Sequence, residues 1–151
     1  MAGNSDPLFV RNGKNGSVLV TAANTSSQGG GTIGTDIFLA FTADATNGSL
    51  VRQIDFIPTA TAPTTTTATV GRVFISSVSS GATTSANTRL VGEVTLPAAA
   101  ADNASAAVLP VSWIPPAGAL VLAASETVLI TNHAAPAAST AWRINVYGGD
   151  F

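Results

Sequence analysis

The segments ATVGRVFISS (68–77) and TRLVGEVTL (Thr88–Leu96) decide the fold of this chain. Each mixes β-branched and large apolar residues with polar ones, as a strand with one buried face requires. Residues 78–87 between them are mostly Ser, Thr, Ala and Gly, which suits an exposed loop. Folding the two segments symmetrically about that loop sets Arg72 opposite Glu93 and Phe74 opposite Val91. An opposite-charge cross-strand pair contributes roughly 0.2–1 kcal/mol. If the pair is buried, removing one partner costs about 3–5 kcal/mol, because the other charge is left unpaired. Arg72 and Glu93 are therefore candidates for an ion pair that holds the fold or the register between subunits.

The same reading extends in both directions. Strands are expected at 17–23, 35–41, 49–57, 108–114, 119–124, Thr127–Asn132 and 140–147. In 49–57, strict alternation places Leu50, Arg52, Ile54 and Phe56 on one face and Val51, Gln53, Asp55 and Ile57 on the other. In 140–147 it groups Trp142, Ile144 and Val146 against Arg143, Asn145 and Tyr147. Asn47-Gly48 and Pro116-Ala117-Gly118 read as turns, and 58–67 as a Pro/Thr-rich linker. The alanine-rich stretch 98–107 has room for about two helical turns, too short to stand alone. Residues 1–16 carry the turn signals Asn12-Gly13 and Asn15-Gly16 and read as an N-terminal arm, with Leu8, Phe9 and Val10 as its apolar anchors. The expectation is an all-β, single-domain antiparallel β-sandwich over 17–151, of jelly-roll type, with eight or nine strands.

Composition narrows the function. Charged residues make up 9% of the 151, where about 25% is usual. That scarcity fits a surface largely covered in an assembly, where charge would carry a desolvation penalty. The few Arg and Lys14 are scattered, so no basic stripe exists to follow a phosphate backbone, and nucleic-acid binding is not expected. No run approaches the roughly 18 apolar residues of a membrane span, and the first residues lack the segments of a signal peptide. The chain has no Cys, one His (His133) and eight acids that stand apart in sequence. No nucleophile elbow or calcium loop appears. Gly29-x-Gly31-x-x-Gly34 matches a dinucleotide fingerprint formally, but the residues after it suit a strand and not the required helix. No enzyme activity, cofactor or metal is expected. Trp113, Trp142 and Tyr147 are the residues that could stack on a sugar; large aromatics more often anchor a core or interface.

The hairpin segments Thr69-Val70-Gly71-Arg72-Val73-Phe74-Ile75 and Arg89-Leu90-Val91-Gly92-Glu93-Val94-Thr95-Leu96-Pro97 resemble those of jelly-roll virion proteins of tailed bacteriophages, especially capsid decoration or cement proteins. The resemblance continues in Pro115-Pro116-Ala117-Gly118-Ala119-Leu120 and in Trp142-Arg143-Ile144-Asn145-Val146-Tyr147-Gly148-Gly149, and covers roughly 17–151. It implies a homotrimer seated on the outer capsid surface of the virion. Its partners would be itself and the major capsid protein, with neither nucleic acid nor membrane involved. Leu8, Phe9 and Val10 would then be the first candidates for the capsid contact, with loops 24–34 and 78–87 at the sandwich ends as alternatives. A head fibre, or a tail module that binds a receptor or glycan, is the competing reading.

Overall fold

The computed structural model describes residues 10–102 and 107–151. Leu8 and Phe9 lie outside the described residues. The described chain forms thirteen strands and no helix: β1 (Asn12–Val20), β2 (Gly31–Thr32), β3 (Phe38–Thr42), β4 (Ser49–Ala60), β5 (Thr64–Thr65), β6 (Thr69–Ser76), β7 (Ala82–Thr83), β8 (Thr88–Leu96), β9 (Ala100–Ala101), β10 (Val111–Trp113), β11 (Leu120–Leu122), β12 (Thr127–Asn132) and β13 (Thr140–Asp150). Four of these, β2, β5, β7 and β9, are two-residue strands, which leaves nine longer ones. One main sheet runs β1-β13-β4, with β10 and β11 both pairing the far side of β4. The other runs β3-β12-β6-β8. Every ladder between these strands is antiparallel. The protein is an antiparallel β-sandwich.

The core between the sheets is built from alternate residues of the long strands. Val20, Val51, Ile54, Phe56, Trp142, Ile144 and Val146 come from the first sheet; Phe41, Val73, Ile75, Val128 and Ile130 come from the second. A smaller cluster of Ile37, Phe74 and Leu129, with Ile33 and Leu39 against it, is separate. Phe74 lies between core residues Val73 and Ile75, and Leu129 between Val128 and Ile130, so both point away from the first sheet. The second sheet is therefore apolar on both faces.

Three bulges set which residues point inward. Tyr147 pairs with Gln53 but Gly148 pairs with Val51, which leaves Arg52 as the extra residue of β4. The insertion reverses the alternation, so Val51 and Ile54 both enter the core while Arg52 is exposed. This corrects the strict alternation expected for 49–57. In β8 the extra residue is Val91: Val73 faces Gly92 and Phe74 faces Leu90, not Val91. In β3 it is Ala40, which lets Phe38 and Phe41 both reach the main core.

Two glycines let the sheets close at their sides. A Cβ at Gly16 in β1 would sit 2.0 Å from the carbonyl oxygen of Ala40, and one at Gly92 in β8 would sit 2.4 Å from the Trp113 ring. On one side β1 lies against the bulge of β3, and on the other Trp113 of β10 seals against β8.

Several boundaries differ from expectation. β1 begins at Asn12, so Asn12-Gly13 and Asn15-Gly16 are strand residues paired with β13 rather than turns, and 12–16 belong to the first sheet. Ladder hydrogen bonds to the long β13 override the turn preference. β4 continues through Pro58 to Ala60. β10 pairs only Ile54 to Phe56, so beyond that point β4 has one neighbour and accommodates the proline. In the alanine-rich stretch, Ala100–Ala101 pairs with Thr64–Thr65 in place of a helix.

Candidate binding surfaces

Arg72 of β6 stands directly opposite Glu93 of β8, and its Nε donates to Glu93 Oε1 at 2.7 Å. The pair is asymmetric: the Arg72 side chain is 10% exposed and that of Glu93 47%. Arg72 Nη1 also donates to the carbonyl oxygens of Asn24 and Thr25, at 3.4 and 3.1 Å. Arg72 thus ties the segment entering 24–37 to the outer face of the second sheet. The guanidinium suits this role because its fixed fork serves three acceptors at once.

That segment is built, not loose. Asn24 is buried; its Oδ1 accepts from Ser26 N at 2.8 Å and its Nδ2 donates to Gly30 O at 3.0 Å. Asp36 Oδ1 accepts from Thr32 N at 2.6 Å, and Thr32 O accepts from Thr35 N at 3.0 Å. Ile33 and Ile37 then lie over Phe74 and Leu129. The two loops expected at sandwich ends pair with each other, Gly31 with Thr83 and Thr32 with Ala82. Gly29, Gly31 and Gly34 belong to this cover, with β3 following and no helix.

Val10 is half-buried, with Gly149 of β13 so close that a Cβ there would strike its Cγ1. It packs on its own chain. Trp142 is fully buried and Trp113 nearly so, which removes both from any sugar-stacking role. Tyr147 remains 40% exposed. His133 is exposed on the loop after β12. Among the described residues, no group of three or more His, Cys, Asp or Glu stands close enough to hold a metal ion. No described helix is long and apolar enough to cross a membrane.

Two surfaces stand out. The first is the edge of the first sheet formed by β10 and β11, which both pair one side of β4. Leu109, Ile114 and Val121 of this edge segment are 81%, 60% and 58% exposed, whereas the exposed Leu90 of β8 is the register partner of Phe74 and points to the outer face of the second sheet. The strand edges on this side are blunted. β8 carries the bulge at Val91 and the charges of Arg89 and Glu93, while Pro110, Pro115 and Pro116 flank β10. A neighbour would meet apolar side chains here and not add a strand.

The second surface is the outer face of the first sheet. Ser17, Asn145, Asp55 and Ser112 lie in register across β1, β13, β4 and β10. Ser17 Oγ donates to Asn145 Oδ1 at 3.0 Å, and Ser112 Oγ and Gln53 Nε2 donate to Asp55 Oδ1 at 2.6 and 2.7 Å. Toward the Thr59 end, a shallow groove of about 330 Å³ is lined by Leu19, Thr59, Ala141 and Arg143. The polar row was not legible in advance, because the residues come from four strands and meet only through register.

No family model, curated protein or solved structure matches this chain.

Proposed function

We propose that the protein is a structural virion component that binds the outer surface of a tailed-bacteriophage capsid as a homotrimer and cements or decorates the shell. The observation that carries this reading is the exposed apolar set Leu109, Ile114 and Val121 along the β10–β11 edge of the first sheet. Large exposed apolar side chains carried on one edge segment of a chain this poor in charge fit a surface that is covered in an assembly. The blunted edges there favour side-chain packing with a neighbour and disfavour open-ended strand addition. The strand orders β1-β13-β4-β10/β11 and β3-β12-β6-β8 support reading the sandwich as a jelly roll, the architecture the resemblance implies.

The mechanism would be bridging. A trimer that touches several shell subunits holds each contact at the high effective concentration set by the others. Separating one shell contact then requires breaking several. Arg72 and Glu93 serve the fold of each subunit in this reading, since Arg72 is occupied by Asn24 and Thr25 of its own chain.

The test is co-sedimentation of purified protein with expanded capsids that lack it, followed by heating. Saturable binding and a higher rupture temperature are expected. Ile114→Lys with Val121→Lys should lower binding at least about tenfold, since each buried aliphatic side chain contributes roughly 1.5–3 kcal/mol. Neither position lies in the core, so the variant should melt like the parent. Absence of capsid binding by the parent would overturn the proposal.

A further inference from the structure

We infer that the outer face of the first sheet is an oligosaccharide-binding site centred on Asp55, Asn145 and Tyr147. The inference goes beyond the proposed virion role and does not depend on it.

Asp55 is the informative residue. It is 7% exposed, yet it lies between the core residues Ile54 and Phe56 and so points to the outer face of the first sheet. Its Oδ1 takes two donors, from Ser112 and Gln53, while its Oδ2 has no hydrogen-bond partner among the described residues. A carboxylate held this firmly, with one oxygen unspent, is a fixed acceptor. Asn145, its register partner on β13, uses Oδ1 to accept from Ser17, which leaves its Nδ2 donors without a partner among the described residues. A strand spacing of about 4.8 Å therefore separates a rigid acceptor from a rigid donor. Adjacent hydroxyls of a sugar, each both donor and acceptor, match that arrangement.

Tyr147 lies two residues along β13 from Asn145, on the same face, opposite Gln53. Its ring is the exposed aromatic of this face and offers an apolar surface for the C–H side of a pyranose. Arg143 lies two residues the other way and adds an exposed donor fork. Arg143, Asn145 and Tyr147 thus span about 14 Å along one strand, enough for a short oligosaccharide and not only a single ring.

Other ligand classes fit less well. A phosphate or nucleic-acid backbone would meet the Asp55 carboxylate with no cluster of cations to offset it. A peptide could not add as a strand, because β13 and β4 are interior strands already paired on both sides at this point.

The test is titration of the ¹⁵N-labelled protein with maltotriose, cellotriose and tri-N-acetylchitotriose, each up to about 10 mM, which detects millimolar dissociation constants. At least one should shift the amides of Gln53, Asp55, Ser112, Asn145 and Tyr147 as a group. Tyr147→Ala should weaken binding about tenfold, and Tyr147→Phe should keep it within about threefold, because the ring and not the hydroxyl does the stacking. Asp55→Asn should weaken binding at least about tenfold by removing the charged acceptor. Tyr147 is a surface residue, so its variant reads binding even if Asp55→Asn disturbs the sheet. Absence of shifts with all three sugars, or shifts grouped elsewhere, would overturn the inference. Capsid binding is a separate readout, so loss of one activity does not mimic loss of the other.

Discussion

The outer faces of the two sheets are made from the same kind of strand and have opposite fates. On the β3-β12-β6-β8 sheet, Arg72, Phe74 and Leu129 point outward and are covered by 24–37. On the β1-β13-β4 sheet, Ser17, Asn145, Asp55 and Gln53 point outward, Ser17 bonding to Asn145 and Gln53 to Asp55, and no second buried apolar cluster forms on that face among the described residues. The difference follows from side-chain chemistry. Phenylalanine and leucine on an outer face need a cover, and Ile33 and Ile37 provide one. A polar row needs no such cover, since part of its hydrogen bonding is met within the row while Asp55 Oδ2 and Asn145 Nδ2 stay unspent among the described residues. The covered face is committed to stability, which leaves the open face and the apolar β10–β11 edge to meet other molecules.

The strongest way to break this comparison is to empty the covered face. Phe74→Ala should destabilise the protein by about 3–5 kcal/mol, since it removes a fully buried ring from a cluster that cannot easily collapse. Ile57→Ala, at a half-buried position on the open face, should cost less than half of that. Urea denaturation of both variants measures the contrast. Equal losses would show that the second cluster is not a core in the energetic sense.

Arg72 sharpens the comparison at the next level. Arg72→Ala should cost about 1–3 kcal/mol, because the Asn24 and Thr25 carbonyls lose their shared donor and the cover loses its tie. Glu93→Ala should cost under about 1 kcal/mol. Glu93 is half-exposed and screened, and Arg72 keeps its two carbonyl acceptors without it. Amide hydrogen exchange should show 24–37 opening faster in the Arg72 variant and unchanged in the Glu93 variant. Arg143→Ala on the open face should move stability by no more than about 0.5 kcal/mol.

What could be read beforehand tracks where the physics is local. β8 and β12 carry their boundaries in their own composition, and Arg72 opposite Glu93 follows from counting across one loop. The counting still holds at Val73 opposite Gly92 and fails at Phe74, because the Val91 bulge lies between. Arg52 does the same in β4, where one inserted residue reverses every inward assignment on one side of it. Nothing in Leu50-Val51-Arg52-Gln53 marks that insertion, which depends on the register of β13. The cover was hidden for a related reason. Ser- and Gly-rich composition describes a mobile loop and a tightly hydrogen-bonded one equally well. Only the apolar outer face beneath 24–37 shows why it is held down. The open-face row is the most remote of all, four residues from four strands brought together by three ladders.

The smallest effect concerns the turn that joins the two sheets between β3 and β4, and it leaves both outer faces intact. Asp44 Oδ1 accepts from the backbone N–H groups of Asn47 and Thr46, at 2.8 and 2.9 Å. These bonds, aided by the charge of Lys14, hold its pKa below the ordinary 3.8. A carboxylate with a lowered folded-state pKa contributes stability that is fully present above the unfolded value and fades as pH falls through the folded one. The contribution should therefore be intact at pH 5 and decline below about 3.8. Asp44→Asn keeps an oxygen to accept both turn bonds but cannot titrate. Melting temperatures from pH 5 down to pH 2.5 should fall less steeply for the variant than for the parent, with the parent the more stable at pH 5 and the curves converging toward pH 2.5. Parallel curves would mean that the turn is equally ordered around the neutral acid, so that Asp44 acts through its shape rather than its charge.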